Sequence, residues 1–174
     1  SIGCAWLQTP VSAAREQGGR MAAVLGCLAG DLECMQAAST QDVVEALGPR
    51  EPYYAVVDGT FVTEPVGQSM YSGAFHRVPI VAGVNADEGS MFVHYLGLDT
   101  EAALEETLRT VGASFSITDL DQLVELYSLE KYGDPQRAYD QFYGDILFHC
   151  MTRFFLSNAS EYTDTYGYYF THEP

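Results

Sequence analysis

Apolar and polar positions change period several times along this chain, and each change predicts an element. Near the start, Thr9-Pro10 reads as an N-cap followed by proline at the first helical position. The helix they predict runs through residues 12–25, with Gly18 and Gly19 weakening its middle. Ser39-Thr40 opens a shorter helix over residues 41–47, which Gly48-Pro49 stops. Residues 53–59 read as a strand ending in Asp58-Gly59, a pair that predicts a hairpin or tight bend, with Phe61-Val62 as a short return strand. Residues 67–77 read as loop, and the apolar run from Val78 to Val84 as a buried strand. The second half is helical. Acidic residues in the first turns of the helices over residues 100–109 and 118–127 complement the helix dipole. Leu120, Leu123, Val124 and Tyr127 share one face of the second of these. Asp134-Pro135 opens a third helix that continues through residues 138–143 and 145–156. Residues 165–170 alternate and are aromatic, as in a strand. Helices outnumber the strands, and the strands are short and apolar. That combination predicts an α/β fold with a sheet covered on both faces.

Composition narrows the partners. At 174 residues and 47% hydrophobic, the chain is long enough for one domain with a sizeable core. Lys and Arg number 8 against 24 Asp and Glu, a net charge of −16, which argues against nucleic acid or an anionic membrane as a partner. No apolar run approaches the roughly 18 residues of a membrane span. The opening residues, Ser1 to Trp6, have neither the basic region nor the long apolar region of a signal peptide. A chain that opens on Ser1 without an initiator methionine and closes on Pro174 reads as an excerpt of a longer polypeptide.

Cys27 and Cys34 bracket a loop short enough for a disulfide to close; the alternative is a pair of buried free thiols. Six intervening residues do not suit a redox or zinc pair. No histidine pair has metal-ligand spacing, so neither a metal nor another cofactor is expected. Asn158-Ala159-Ser160 is an N-glycosylation sequon. Sequon and cysteine pair together point to the secretory pathway or the extracellular space.

The most specific stretch is residues 78–92, where the apolar strand runs into the turn Asn85-Ala86-Asp87-Glu88-Gly89. A buried strand ending in a carboxylate and a glycine is how an α/β enzyme presents an acid at its sheet edge. This segment resembles the one that carries the triad acid in the type-B carboxylesterase and cholinesterase family. Further matches follow the family's order along nearly the whole chain. Residues 1–6 resemble the segment after the nucleophile-bearing helix, and residues 55–59 resemble a Pro-Val-x-Asp-Gly strand, with Ala55 in place of proline. Cys27 and Cys34 fall where the family has a short-loop disulfide. Residues 143–150 resemble a later helix carrying Gly-Asp and a cysteine, and residues 165–172 a tyrosine-rich strand.

The resemblance implies the central-to-C-terminal portion of an α/β-hydrolase domain and a serine carboxylic-ester hydrolase. Glu88 would be the triad acid, orienting a histidine and stabilising its imidazolium form. Its plainer alternative is a turn carboxylate that caps nearby N–H groups. Met91, Phe92 and Tyr95 would line the gorge to the serine, and Trp6 and Tyr53 the acyl pocket, unless these side chains are ordinary core. Met91 stands where cholinesterases often carry an aromatic residue, which weakens a case for choline esters. His172 matches a non-catalytic histidine, and His76, His94 and His149 read as surface or boundary residues. No Gly-x-Ser-x-Gly and no His-Gly-Gly-Gly segment occurs in the sequence. The nucleophile and the histidine are therefore expected from the remaining segments of the same hydrolase, which would be this chain's partners together with an ester substrate. The rival reading is a non-catalytic cholinesterase-like adhesion or structural protein, which would bind a protein partner instead.

Overall fold

The structure, a computed structural model, describes residues 8–48, 51 and 53–172, so Trp6 and Cys4 lie outside the described residues. The described residues divide into two compact units, one before Gly73 and one from Gly73 onward.

In the first unit, strand β1 (Gln8–Pro10) is followed by helices α1 (Val11–Val24), α2 (Leu32–Ala37) and α3 (Thr40–Glu45). Strand β2 (Ala55–Val57) and helix α4 (Val66–Ser72) complete it. β1 and β2 are parallel, with Thr9 opposite Val56. That pairing overrides the local capping signal at Thr9-Pro10. Thr9 is extended in the ladder, Pro10 takes the cap position without a side-chain cap bond, and α1 begins at Val11. The two mid-helix glycines do not interrupt α1. α2 is an addition to the sequence reading; Asp31 starts it by accepting the N–H of Cys34 at 3.0 Å. Ser39 caps α3 as expected, accepting the N–H of Asp42 at 3.1 Å. α4 replaces part of the expected loop.

Cys27 and Cys34 are joined by a disulfide, with Cα atoms 5.8 Å apart. A loop this short predicts a modest entropic gain. Replacing both cysteines by serine should lower stability by about 2–3 kcal/mol, read from the urea midpoint of oxidised protein against the variant.

The Asp58-Gly59 pair makes a tight bend and no hairpin. Asp58 Oδ1 accepts the N–H groups of Thr60, Phe61 and Val62 at 2.9, 2.9 and 3.1 Å. These are the donors that a return strand over Phe61-Val62 would have needed, so the carboxylate replaces the ladder. The N–H of Thr60 first, with those of Phe61 and Val62, holds the Asp58 carboxyl below the usual carboxylate range. A carboxyl depressed in the folded state stabilises above its unfolded pKa, and that contribution disappears as pH falls through the folded one. The advantage of wild type over Asp58→Asn in urea titrations should therefore be present at about pH 5 and vanish at low pH.

The second unit opens with α-helix-linked parallel strands β3 (Ile80–Asn85) and β4 (Thr165–Phe170), paired from Ile80 opposite Thr165 to Asn85 opposite Phe170. Parallel neighbours need a crossover, and here it is helical. It comprises α5 (Ser90–Val93), a 3-10 turn (His94–Leu96), α6 (Glu101–Ser114), α7 (Leu120–Leu126), α8 (Leu129–Tyr132) and α9 (Pro135–Gly144). A π-helical turn (Asp145–His149) then leads into α10 (Cys150–Ala159). Asp134 caps α9 by accepting the N–H of Arg137 at 2.7 Å, with Pro135 in the first turn, as the sequence predicts.

The core gathers Leu104 and Leu108 of α6, Leu123 of α7, Val93 of α5, and Ala138, Tyr139 and Phe142 of α9. α9 thus lies at the centre of the unit. One face of the β3–β4 pair is covered: Val84 is buried, and Leu156 of α10 lies against Gly167. The other face, also expected to be covered, is open among the described residues, with Val81 71% exposed and its partner Tyr166 60%. No described helix is long and apolar enough to cross a membrane.

Candidate active-site turn at the end of strand β3

β3 ends at Asn85, and the chain reverses over the next four residues before α5 begins. The carboxyl ends of parallel strands are where open α/β sheets place their ligands. Both acids of the turn are engaged, in different ways. Asp87 is exposed and starts α5: its Oδ1 accepts the N–H of Ser90 at 3.1 Å and its Oδ2 the Ser90 hydroxyl at 2.7 Å. Glu88 is partly buried and folds back on the strand. Its Oε1 accepts the backbone N–H of Asn85 at 2.8 Å and the Asn85 Nδ2 at 3.1 Å. Among the described residues nothing donates to Oε2. The carboxylate is therefore anchored through one oxygen, and the second remains as an acceptor.

Gly89 sets how closely α9 approaches. A Cβ built there would lie 1.8 Å from the carbonyl oxygen of Asp140 and 2.8 Å from the Gly144 nitrogen. The α9 backbone rests directly on the turn. Its side chains then grip the segment that follows. Gln136, nearly buried, donates to the Val93 carbonyl at 3.1 Å and to Asp140 Oδ1 at 2.7 Å, and accepts the N–H of Leu98 at 2.9 Å. Asp140 Oδ2 meets His94 Nδ1 at 2.8 Å. The hydrogen bond and charge of Asp140 raise the His94 pKa above its usual value, with Asp134 and Asp87 adding to the effect. A raised histidine stabilises fully below its unfolded pKa, and that contribution is lost as pH climbs through the folded one.

The residues expected to line a pocket differ in exposure. Met91 is 81% exposed and, with Asp87, Ser90, His94, Arg137 and Tyr169, lines a cavity of about 710 Å³. Tyr95 is equally exposed. Phe92 turns the other way, stacking on Phe148 at 5.6 Å and approaching Tyr143 at 6.4 Å. Tyr53 belongs to the first unit and is 59% exposed, and Trp6 lies outside the described residues. Asn158 lies near the end of α10 with its Nδ2 donating to the Phe154 carbonyl at 2.8 Å. No group of three His, Cys, Asp or Glu among the described residues could hold a metal ion.

Asp140 and Gln136 have no part in the sequence reading, which takes His149 only as a surface or boundary residue. Each belongs to an i,i+4 polar pair on a helical segment, Gln136 with Asp140 and Asp145 with His149. That spacing was a usable signal.

A model of the carboxylesterase family matches residues 1–174. The chain belongs to the carboxylesterase family. Among relatives, it is 25% identical to the crystal protein of Dictyostelium discoideum over 174 residues, covering 92% of this chain and 31% of that protein. It is 32% identical to a pyrethroid hydrolase of Mus musculus, covering 71% of this chain and 25% of the relative. The chain thus spans under a third of the length of either. A solved carboxylesterase of Geobacillus stearothermophilus superposes with a TM-score of 0.68 at 20% identity, covering 97% of this chain and 36% of that one. This family member has the α/β-hydrolase fold.

Proposed function

We propose that this carboxylesterase-family chain is part of a serine carboxylic-ester hydrolase and supplies its triad acid, Glu88. Both units belong, on this reading, to one hydrolase domain whose remaining segments contribute the nucleophilic serine and the histidine. The observation that carries it is the state of Glu88 at the carboxyl end of β3: one oxygen is tied to Asn85, and nothing among the described residues donates to the other. A carboxylate so placed can accept the N–H of an imidazole, fix its tautomer and balance its charge when it takes the serine proton. The one exposed apolar face of β3 and β4, bearing Val81 and Tyr166, supports further packing against it in the parent protein, since parallel strands are ordinarily covered on both sides. Met91 and Tyr95, beside the turn and exposed, would meet the substrate's acyl or alcohol group. The Cys27–Cys34 disulfide supports a secreted or lumenal location, with Asn158 as the glycan acceptor.

The test is fluorophosphonate labelling of the full-length parent protein followed by peptide mass spectrometry. The expected result is one labelled serine in a Gly-x-Ser-x-Gly peptide. An unlabelled, folded protein would favour the second reading, a non-catalytic adhesion or structural member of the family. The likeness to the Dictyostelium crystal protein, whose name carries no activity, keeps that reading in view.

A further inference from the structure

The Glu88 turn is held from beneath by a histidine. The His149 side chain is only 15% exposed, and both of its ring nitrogens are bonded. Nδ1 lies 2.5 Å from Asp145 Oδ1, and Nε2 lies 2.8 Å from the carbonyl oxygen of Asn85. The ring thus bridges two acceptors, a carboxylate on one side and a backbone carbonyl on the other. Asp145 is itself immobilised: Gln141 Nε2 donates to Oδ1 at 2.9 Å and the Tyr127 hydroxyl to Oδ2 at 2.7 Å. The edge of the imidazole meets the Tyr169 ring of β4 at 5.6 Å, with the planes 61° apart. Asp145 and His149 bound the π-helical turn between α9 and α10. Such turns are rare and are frequent at functional sites.

The other end of this network is the residue that anchors Glu88. Asn85 accepts from His149 through its carbonyl and donates to Glu88 through its N–H and Nδ2. Peptide groups are planar, so fixing the Asn85 carbonyl fixes the plane in which the chain leaves β3. We propose that His149 is a positioning residue for Glu88, tying the last peptide of β3 to Asp145 and so setting where the acid points. The inference rests on the reading of Glu88 as triad acid. His149 touches no reacting group. Its loss should misplace the acid, and a displacement on the scale of an ångström costs about 10²-fold in rate. Ester binding does not depend on the acid, so the loss should appear in kcat with KM nearly unchanged.

The experiment is a double-mutant cycle in the full-length protein, assayed with a p-nitrophenyl ester, with thermal denaturation run on every variant. His149→Leu should lower kcat by roughly 10–100-fold, with KM within about twofold. His149→Gln, whose amide can reach one of the two partners but not span both, should lose less, about 3–10-fold. Neither substitution should lower the residual rate further in a Glu88→Gln background, because the group they position is already disabled. A purely structural role predicts the same loss in both backgrounds, and that result would overturn the proposal while leaving Glu88 its role. Unchanged kcat in His149→Leu would do the same. If His149→Leu does not fold, the cycle with His149→Gln decides by the same criterion. If Glu88→Gln keeps full turnover, the triad reading falls and the role of His149 falls with it.

Discussion

Glu88→Gln in the full-length protein is expected to lower kcat by about 10³–10⁴-fold while leaving KM within a few-fold. The amide is the same size, and its oxygen can still accept from the Asn85 N–H, so the turn should keep its shape. The second position changes character: an oxygen that accepts becomes an NH₂ that donates. A histidine N–H presented to it would meet a donor, and the ring would settle in the tautomer that cannot take the serine proton. Its imidazolium form would also lose a compensating charge in the transition state. Asp87→Asn supplies the contrast. Asp87 is committed to Ser90 at the start of α5, so the predicted loss in kcat there is small. A Glu88→Gln variant within tenfold of wild type would mean that the carboxylate only caps the turn.

Gly89→Ala is expected to prevent normal folding, with insoluble protein or a loss of more than about 3 kcal/mol by urea titration of the soluble fraction. The backbone at Gly89 has φ −90°, which any residue adopts, so the cost is not conformational. It is steric. The added carbon would stand 1.8 Å from the Asp140 carbonyl oxygen and 2.8 Å from the Gly144 nitrogen. Both are main-chain atoms of a helix, and neither can swing aside as a side-chain tip could. Relief requires α9 to retreat, and α9 carries Ala138, Tyr139 and Phe142 in the core. The same retreat would pull Gln136 from Val93 and Asp140 from His94. An unchanged urea midpoint for Gly89→Ala would show that α9 does not press on the turn in solution.

Elements whose cause is local were legible without coordinates. Asp134-Pro135 at the head of α9 is a cap and a preset φ within two residues, and the helix begins there. Ser39 before α3 is another such case, and so is the aromatic strand of residues 165–170. The Cys27–Cys34 bridge closes a loop short enough to suggest itself, although the sequence also left free thiols open. Where a distant partner competed, local reading failed. Thr9-Pro10 has the look of a helix start, but β2 claims Thr9 for a parallel ladder, a bond to residues far along the chain. At Asp58-Gly59, read as a hairpin or a tight bend, the choice was local: the carboxylate takes the three N–H groups that a return strand required, and the bend forms.

For the site the division is sharper. The amino-acid order alone identified an acid and a glycine after an apolar strand, and through them the family, because the strand, turn and acid are contiguous. It gave no role to His149, Asp140 or Gln136. Their partners, Asn85, His94 and Val93, lie far away along the chain, and only the stacking of α9 and the π-helical turn against the end of β3 makes them neighbours. A hydrogen bond acts over about 3 Å, and sequence separation carries no information at that range once the chain has folded back on itself. The turn carboxylate was therefore legible in one segment, while what packs around the turn was decided by the folding of three.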